Sequence, residues 1–163
     1  MVFGMSLQTF TLIHVLISLV GIGSGVAVVY GMLRGKRLDT ITAIFLVTTV
    51  LTSVSGFGFP FKHLLPSHIV GILSLVFLAI AIYGRYIGHL NGASRWIYVV
   101  TASIALYLNV FVLVVQSFLK APSLHALAPT GKEPLFAIAQ LTVLVIFIVL
   151  TVLCVKRFRP AAA

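Results

Sequence analysis

Five times between Gln8 and Val155 the sequence runs for about twenty residues on almost nothing but apolar and small side chains. That is the length an α-helix needs to cross a bilayer. These runs span about residues 8–33, 40–59, 67–89, 96–118 and 134–155, and they are long continuous stretches rather than amphipathic stripes. The breaks between them are explicit: RGKRLD, FPFKHLLPS, HLNGASR and KAPSLHALAPTGKEP. Pro66–Ser67 and Glu133–Pro134 have the chemistry of helix starts, with Ser67 suited to an N-cap and Pro134 to a first turn. The expected fold is all-α: a polytopic membrane protein of five transmembrane helices in one bundle over residues 1–160, with 161–163 a tail. Residues 1–10 contain no Lys or Arg, so the first run reads as a span rather than a cleavable leader.

Composition closes off the soluble alternatives. Charged residues make up 8% of the chain and hydrophobic residues 61%, whereas a soluble domain carries about 25% charged residues. The net charge of +9 does not point to nucleic acid, because the cations flank apolar runs and form no continuous stripe. Eight of the eleven fall on one side: Arg34, Lys36, Arg37, Arg85, Arg95, Lys156, Arg157 and Arg159. Lys62, Lys120 and Lys132 fall on the other. The positive-inside rule then places the N-terminus outside and the C-terminus in the cytoplasm, in a cell inner membrane, with Trp96 and Tyr98 as interfacial anchors. Lone Cys154 excludes an intramolecular disulfide or a CxxC redox pair and reads as a small buried hydrophobe.

Helices in lipid meet through small and weakly polar residues, and each span has such a seam. The first carries Thr11, His14, Ser18, Gly21 and Gly25, the last two forming GxxxG; the second carries Thr48, Thr52 and Ser55. The third carries Ser67, Gly71 and Ser74. The fourth carries Ala102, Ala105, Asn109, Gln116 and Lys120, and the fifth Glu133, Ala137 and Gln140. Five spans cannot divide into two equal inverted halves, which counts against a one-chain transporter built on repeats. A homo-oligomer would restore the symmetry.

Depth sharpens the pattern. With the N-terminus outside, His14 lies about two turns below the surface at ~1.5 Å per residue. Gln140 reaches a similar depth, Asn109 and Gln116 occupy the outer half of their span, and His68 stands at the outer start of the third. Above them lie His63, Lys120, His125, Glu133 and a hairpin, Ser55 to His68, rich in phenylalanine and glycine (Phe57, Phe59, Phe61). The inner halves are mostly Val, Ile, Leu and Ala, and His89 belongs to that opposite side.

Strongly polar side chains in hydrocarbon face a partner, water or a ligand. The expected site is therefore a histidine- and amide-lined pocket in the outer half, under the hairpin as a lid. Its ligand would be haem b, a transition metal or a quinone-like head group, with a redox-linked role. Candidate metal or axial ligands are His14 and His68, then His63, His125 and Glu133. Asn109, Gln116 and Gln140 would supply hydrogen bonds, and Lys120 would meet propionates or anionic lipid. Glu133 would pair with Lys132 or Lys120 or orient a histidine. A carboxylate proton relay lacks its pair of embedded acids, and HExxH, GxSxG and P-loop motifs are absent. Whether the chain is an enzyme is left open. Two other readings stand beside this one. The first is an oligomeric channel or carrier for a small solute; the second is a non-catalytic assembly subunit in which the polar residues are helix–helix glue.

Overall fold

The computed structural model describes residues 4–60 and 66–160. Phe61, Lys62 and His63 of the hairpin, and the 161–163 tail, lie outside the described residues. Helix α1 spans Leu7–Leu33, and the Ser6 hydroxyl accepts from the Thr9 N–H at its start. α2 spans Asp39–Gly56 and α3 spans Pro66–Ile82, continuing through a π-helical turn at Tyr83–Ile87. α4 spans Ala93–Lys120, the short α5 Pro122–Leu127, and α6 Pro134–Arg157, with Glu133 at its N-cap and Pro134 in its first turn. The chain is all-helical among the described residues, with five helices long and apolar enough to cross a membrane. α5 breaks what the sequence marks as a loop; Pro122 opens it as a first-turn proline does.

α4 runs through the assembly in contact with α1, α3 and α6, while α2 lies between α1 and α3. The outer faces are apolar: Ile138, Leu141 and Val145 of α6 are 57–59% exposed. Contiguous apolar surface of that kind belongs against lipid chains rather than water.

The two ends differ in how they are packed. At the basic end, where α1 and α3 finish and α2 and α4 begin, the core is closed. Val28, Val29 and Met32 of α1 meet Phe45 and Leu46 of α2, with Tyr98, Val99 and Leu106 of α4 and Cys154 of α6 completing it. Gly25 makes this closeness possible, since a Cβ there would stand 2.6 Å from Leu106 Cδ1 and 2.9 Å from the Phe45 ring. Gly21, one turn on, does the same beside Thr48, Thr49 and Asn109, so the GxxxG of α1 is a packing seam. At the opposite, aromatic end the helices are less covered. Along α4, most of Tyr98–Leu106 is buried, whereas every residue from Tyr107 to Ser117 is at least partly exposed.

Charges lock the basic end. Arg85, 3% exposed, donates to Asp39 at the start of α2 and lies over the Tyr98 ring at 5.2 Å. Arg95 donates to the carbonyls of Val155 (2.9 Å) and Phe158 (2.7 Å), capping the C-terminus of α6. Trp96, Tyr83 and Tyr86 are exposed around the same level, an aromatic belt of the kind found at membrane–water interfaces. Tyr98, expected from the sequence beside Trp96 as an anchor, is 1% exposed and belongs to the core instead. Its position two residues on from Trp96 turns it to the opposite side of α4, onto Arg85.

Candidate functional site

The turn that follows α2 organises the aromatic end. Its two phenylalanines diverge: Phe59 turns to α1 and Phe57 to α3. The Phe59 ring meets Phe10 edge-on at 4.9 Å and His14 edge-on at 5.1 Å. Phe57 stacks on His68 at 5.5 Å and lies against Gly71, where an added Cβ would come to 3.4 Å.

His14 is half-buried on the inward face of α1, and its Nδ1 lies 2.7 Å from Ser55 Oγ. Ser55 has one hydroxyl proton and a carbonyl to give it to, Thr52 O at 3.2 Å. Where that proton goes to Thr52, Oγ accepts from Nδ1–H and the uncharged ring keeps a lone pair on Nε2; in the other tautomer Oγ donates to Nδ1. Lys120, exposed, is the last residue of α4 at this same end of the bundle. α1, α2 and the turn that follows α2 therefore bring His14, Ser55 and Phe59 together.

One to two turns deeper, Asn109 Nδ2 approaches Thr49 Oγ1 at 3.4 Å beside Gly21. Gln140 Nε2 donates to the Phe111 carbonyl at 3.2 Å, tying α6 to α4, while its Oε1 is buried without a partner. Gln116 is half-buried on the α4 stripe. His68 is 4% exposed, on a buried stripe with Ser74, Leu78 and Ala81; Ser67, expected on the seam, is exposed. Ala137 likewise faces out, and Phe136 packs inward on Phe118 at 5.4 Å.

Two further candidates sit on α5 and at the N-cap of α6. His125 is exposed on α5. Glu133 is committed to its own loop, accepting from the Thr130 hydroxyl (2.8 Å) and N–H (3.0 Å) and from the Lys132 N–H (3.0 Å). Desolvation pushes its pKa up, but these hydrogen bonds outweigh it and hold the carboxyl below its ordinary value. A depressed folded pKa stabilises the loop above the ordinary glutamate range, and that support is lost as pH falls through the folded value. Corrected for intrinsic rates, amide exchange at Thr130 and Lys132 should accelerate across that fall, and Glu133→Ala should remove the protection at every pH.

No group of three or more His, Cys, Asp or Glu side chains close enough to hold a metal occurs among the described residues. His14 and His68 lie against different phenylalanines on the two flanks of α2. Two contributors escape a sequence reading: Thr49, and Ser53, whose hydroxyl meets that of the expected Ser74 at 3.1 Å and joins α2 to α3. A stripe through Thr42, Thr49 and Ser53 carries the signal, one step round the helix from the expected one. Compared with known proteins, the chain matches no family model, no curated protein and no solved structure.

Proposed function

We propose that this multi-pass membrane protein binds the head group of a quinol-like lipid at the aromatic end, with His14 as the recognising residue and a redox-linked role. The observation that carries the reading is the 2.7 Å hydrogen bond between His14 Nδ1 and Ser55 Oγ, with Phe59 against the same ring. With Ser55 donating to Thr52 and accepting from Nδ1–H, Nε2 is the hydrogen-bond acceptor that a hydroquinone O–H requires. Phe59 lies across the ring as an apolar cover, and Lys120 supplies positive charge for an oxygen that loses its proton. The incomplete covering of α4 from Tyr107 to Ser117 favours access from the lipid. The eight-to-three excess of cations supports a cytoplasmic basic end, hence an N-terminus outside, in a cell inner membrane.

The same lone pair would suit haem b or a transition metal, since a ligating histidine donates its other N–H to a neighbour. The position of His68 across α2 favours the quinol over a bis-histidine iron. A solute path through one chain is disfavoured by the closed apolar core of the basic half.

Calorimetric titration of the detergent-solubilised protein with a short-chain hydroquinone tests the reading. His14→Leu should weaken binding about tenfold or more and Ser55→Ala about threefold to tenfold, the worth of one hydrogen bond. Unchanged affinity in both variants, or no saturable binding by the wild type, would refute it. A Soret band or a stoichiometric metal would transfer His14 to the haem or metal reading.

A further inference from the structure

At the opposite end of the bundle a cleft of about 250 Å³ opens between the α1–α2 loop, the turn after the π-helical segment and the start of α4. Arg37, His89, Asn91, Arg95 and Pro160 line it. Its volume is below the ~300 Å³ at which sites for whole small molecules begin, which suits a single head group. The charge balance is one-sided. Among the described residues the one nearby side-chain carboxylate, Asp39, is engaged by buried Arg85 and has Arg37 Nε at 3.4 Å without hydrogen-bond geometry. Arg37 Nε is buried and has no hydrogen-bond acceptor. Arg95, which lines the cleft, is oriented by the two α6 carbonyls it caps through Nη1. A buried guanidinium N–H without an acceptor is costly, and a tetrahedral oxyanion satisfies it best.

The backbone is bent to place the third basic group. His89 and Leu90 have φ of 49° and 58°, a left-handed pair of non-glycine residues that costs about 1–2 kcal/mol each. The Leu90 N–H is tied to the Gly84 carbonyl (3.1 Å) and the Leu90 side chain is buried, so the turn holds and His89 stands exposed over the cleft. Exposed Trp96, Tyr83 and Tyr86 set this level at the head-group layer.

We propose that this cleft is a binding site for a phosphate-bearing anion, either the head group of an anionic phospholipid in that leaflet or a soluble phosphate. Basic pockets between transmembrane helices take anionic head groups in this way. A ligand bound only by the folded chain raises its unfolding temperature by mass action. The test measures unfolding of the full chain in detergent against dihexanoyl phosphatidylglycerol, dihexanoyl phosphatidylcholine and inorganic phosphate. Phosphatidylglycerol should raise the unfolding temperature saturably and phosphatidylcholine should not. Arg37→Gln should move the midpoint at least tenfold to higher concentration, with Lys132→Gln unchanged. His89→Asn, which keeps a side chain suited to left-handed backbone, should move it severalfold and serves if Arg37→Gln folds poorly. A response to phosphatidylglycerol alone identifies the lipid as the source; an equal response to inorganic phosphate identifies a soluble anion. No saturable shift with either, an equal shift with phosphatidylcholine, or wild-type midpoints in both variants would overturn the proposal.

Discussion

Asp39→Ala is expected to destabilise the protein by about 2 kcal/mol, and Arg85→Met by no more than about 1 kcal/mol. The asymmetry comes from where each partner sits. The Arg85 side chain is 2% exposed and the Asp39 side chain 67%. Removing the carboxylate leaves a buried guanidinium beside the Tyr98 and Tyr86 side chains without its counter-ion, and leaves Arg37 facing it as a second cation. The first turn of α2 also loses its only acid, which the helix dipole favours by some tenths of a kcal/mol. Removing the guanidinium instead leaves an exposed carboxylate that water and Arg37 can serve, and methionine fills much of the space. The figure for Asp39 stands below the usual 3–5 kcal/mol for breaking a buried pair because one partner is already solvated. Equilibrium unfolding in detergent, comparing the two variants, is the measurement. Equal losses, or a larger loss for Arg85→Met, would show that the cation–π stack and not the ion pair holds this end.

That cluster also marks the limit of what a sequence can say here. The helix positions follow from hydropathy along the chain, a local quantity, so Leu7–Leu33 and Pro134–Arg157 lie within two residues of the expected spans. Seam faces on α1 follow from helical period: Thr11, His14 and Ser18 are half-buried and Gly21 and Gly25 buried. Which seams meet is not local. That His14 takes Ser55, and that Phe57 and Phe59 part company between α3 and α1, depends on α2 lying between those helices. The π-helical turn at Tyr83–Ile87 is unreadable for the same reason, since it belongs to the contact of Gly84 with α4. His68 was legible in part. Steps of three and four from His68 through Ser74, Leu78 and Ala81 to Arg85 mark a buried stripe, but a seam drawn from Ser67 misses it by one residue.

Gly84→Ala should cost about 2–3 kcal/mol, as over-packing does when nothing nearby can yield. A Cβ at Gly84 would stand 2.9 Å from the Ser94 carbonyl oxygen and 3.3 Å from Tyr98 N and Cβ. The first of these is backbone at the start of α4, so no rotamer change relieves it and α3 must move off α4. The core beneath has no slack, with Ala81 and Val99 at 0% exposure. Gly21→Ala meets only threonine hydroxyls at 3.2–3.3 Å and the Asn109 amide beyond, which can turn, so its cost should stay under about 1 kcal/mol. Gly23→Ala, an exposed mid-helix position with nothing within 4 Å, should stabilise by about 0.5–1 kcal/mol through the lost chain entropy of glycine. The ordering of the three variants in unfolding measurements is the prediction, and a Gly84→Ala protein as stable as Gly23→Ala would refute the close α3–α4 contact. The effect also reaches the basic cleft. Because the Leu90 N–H hangs on the Gly84 carbonyl, parting α3 from α4 moves the turn that carries His89, and Gly84→Ala should weaken the phosphatidylglycerol response as well as the fold.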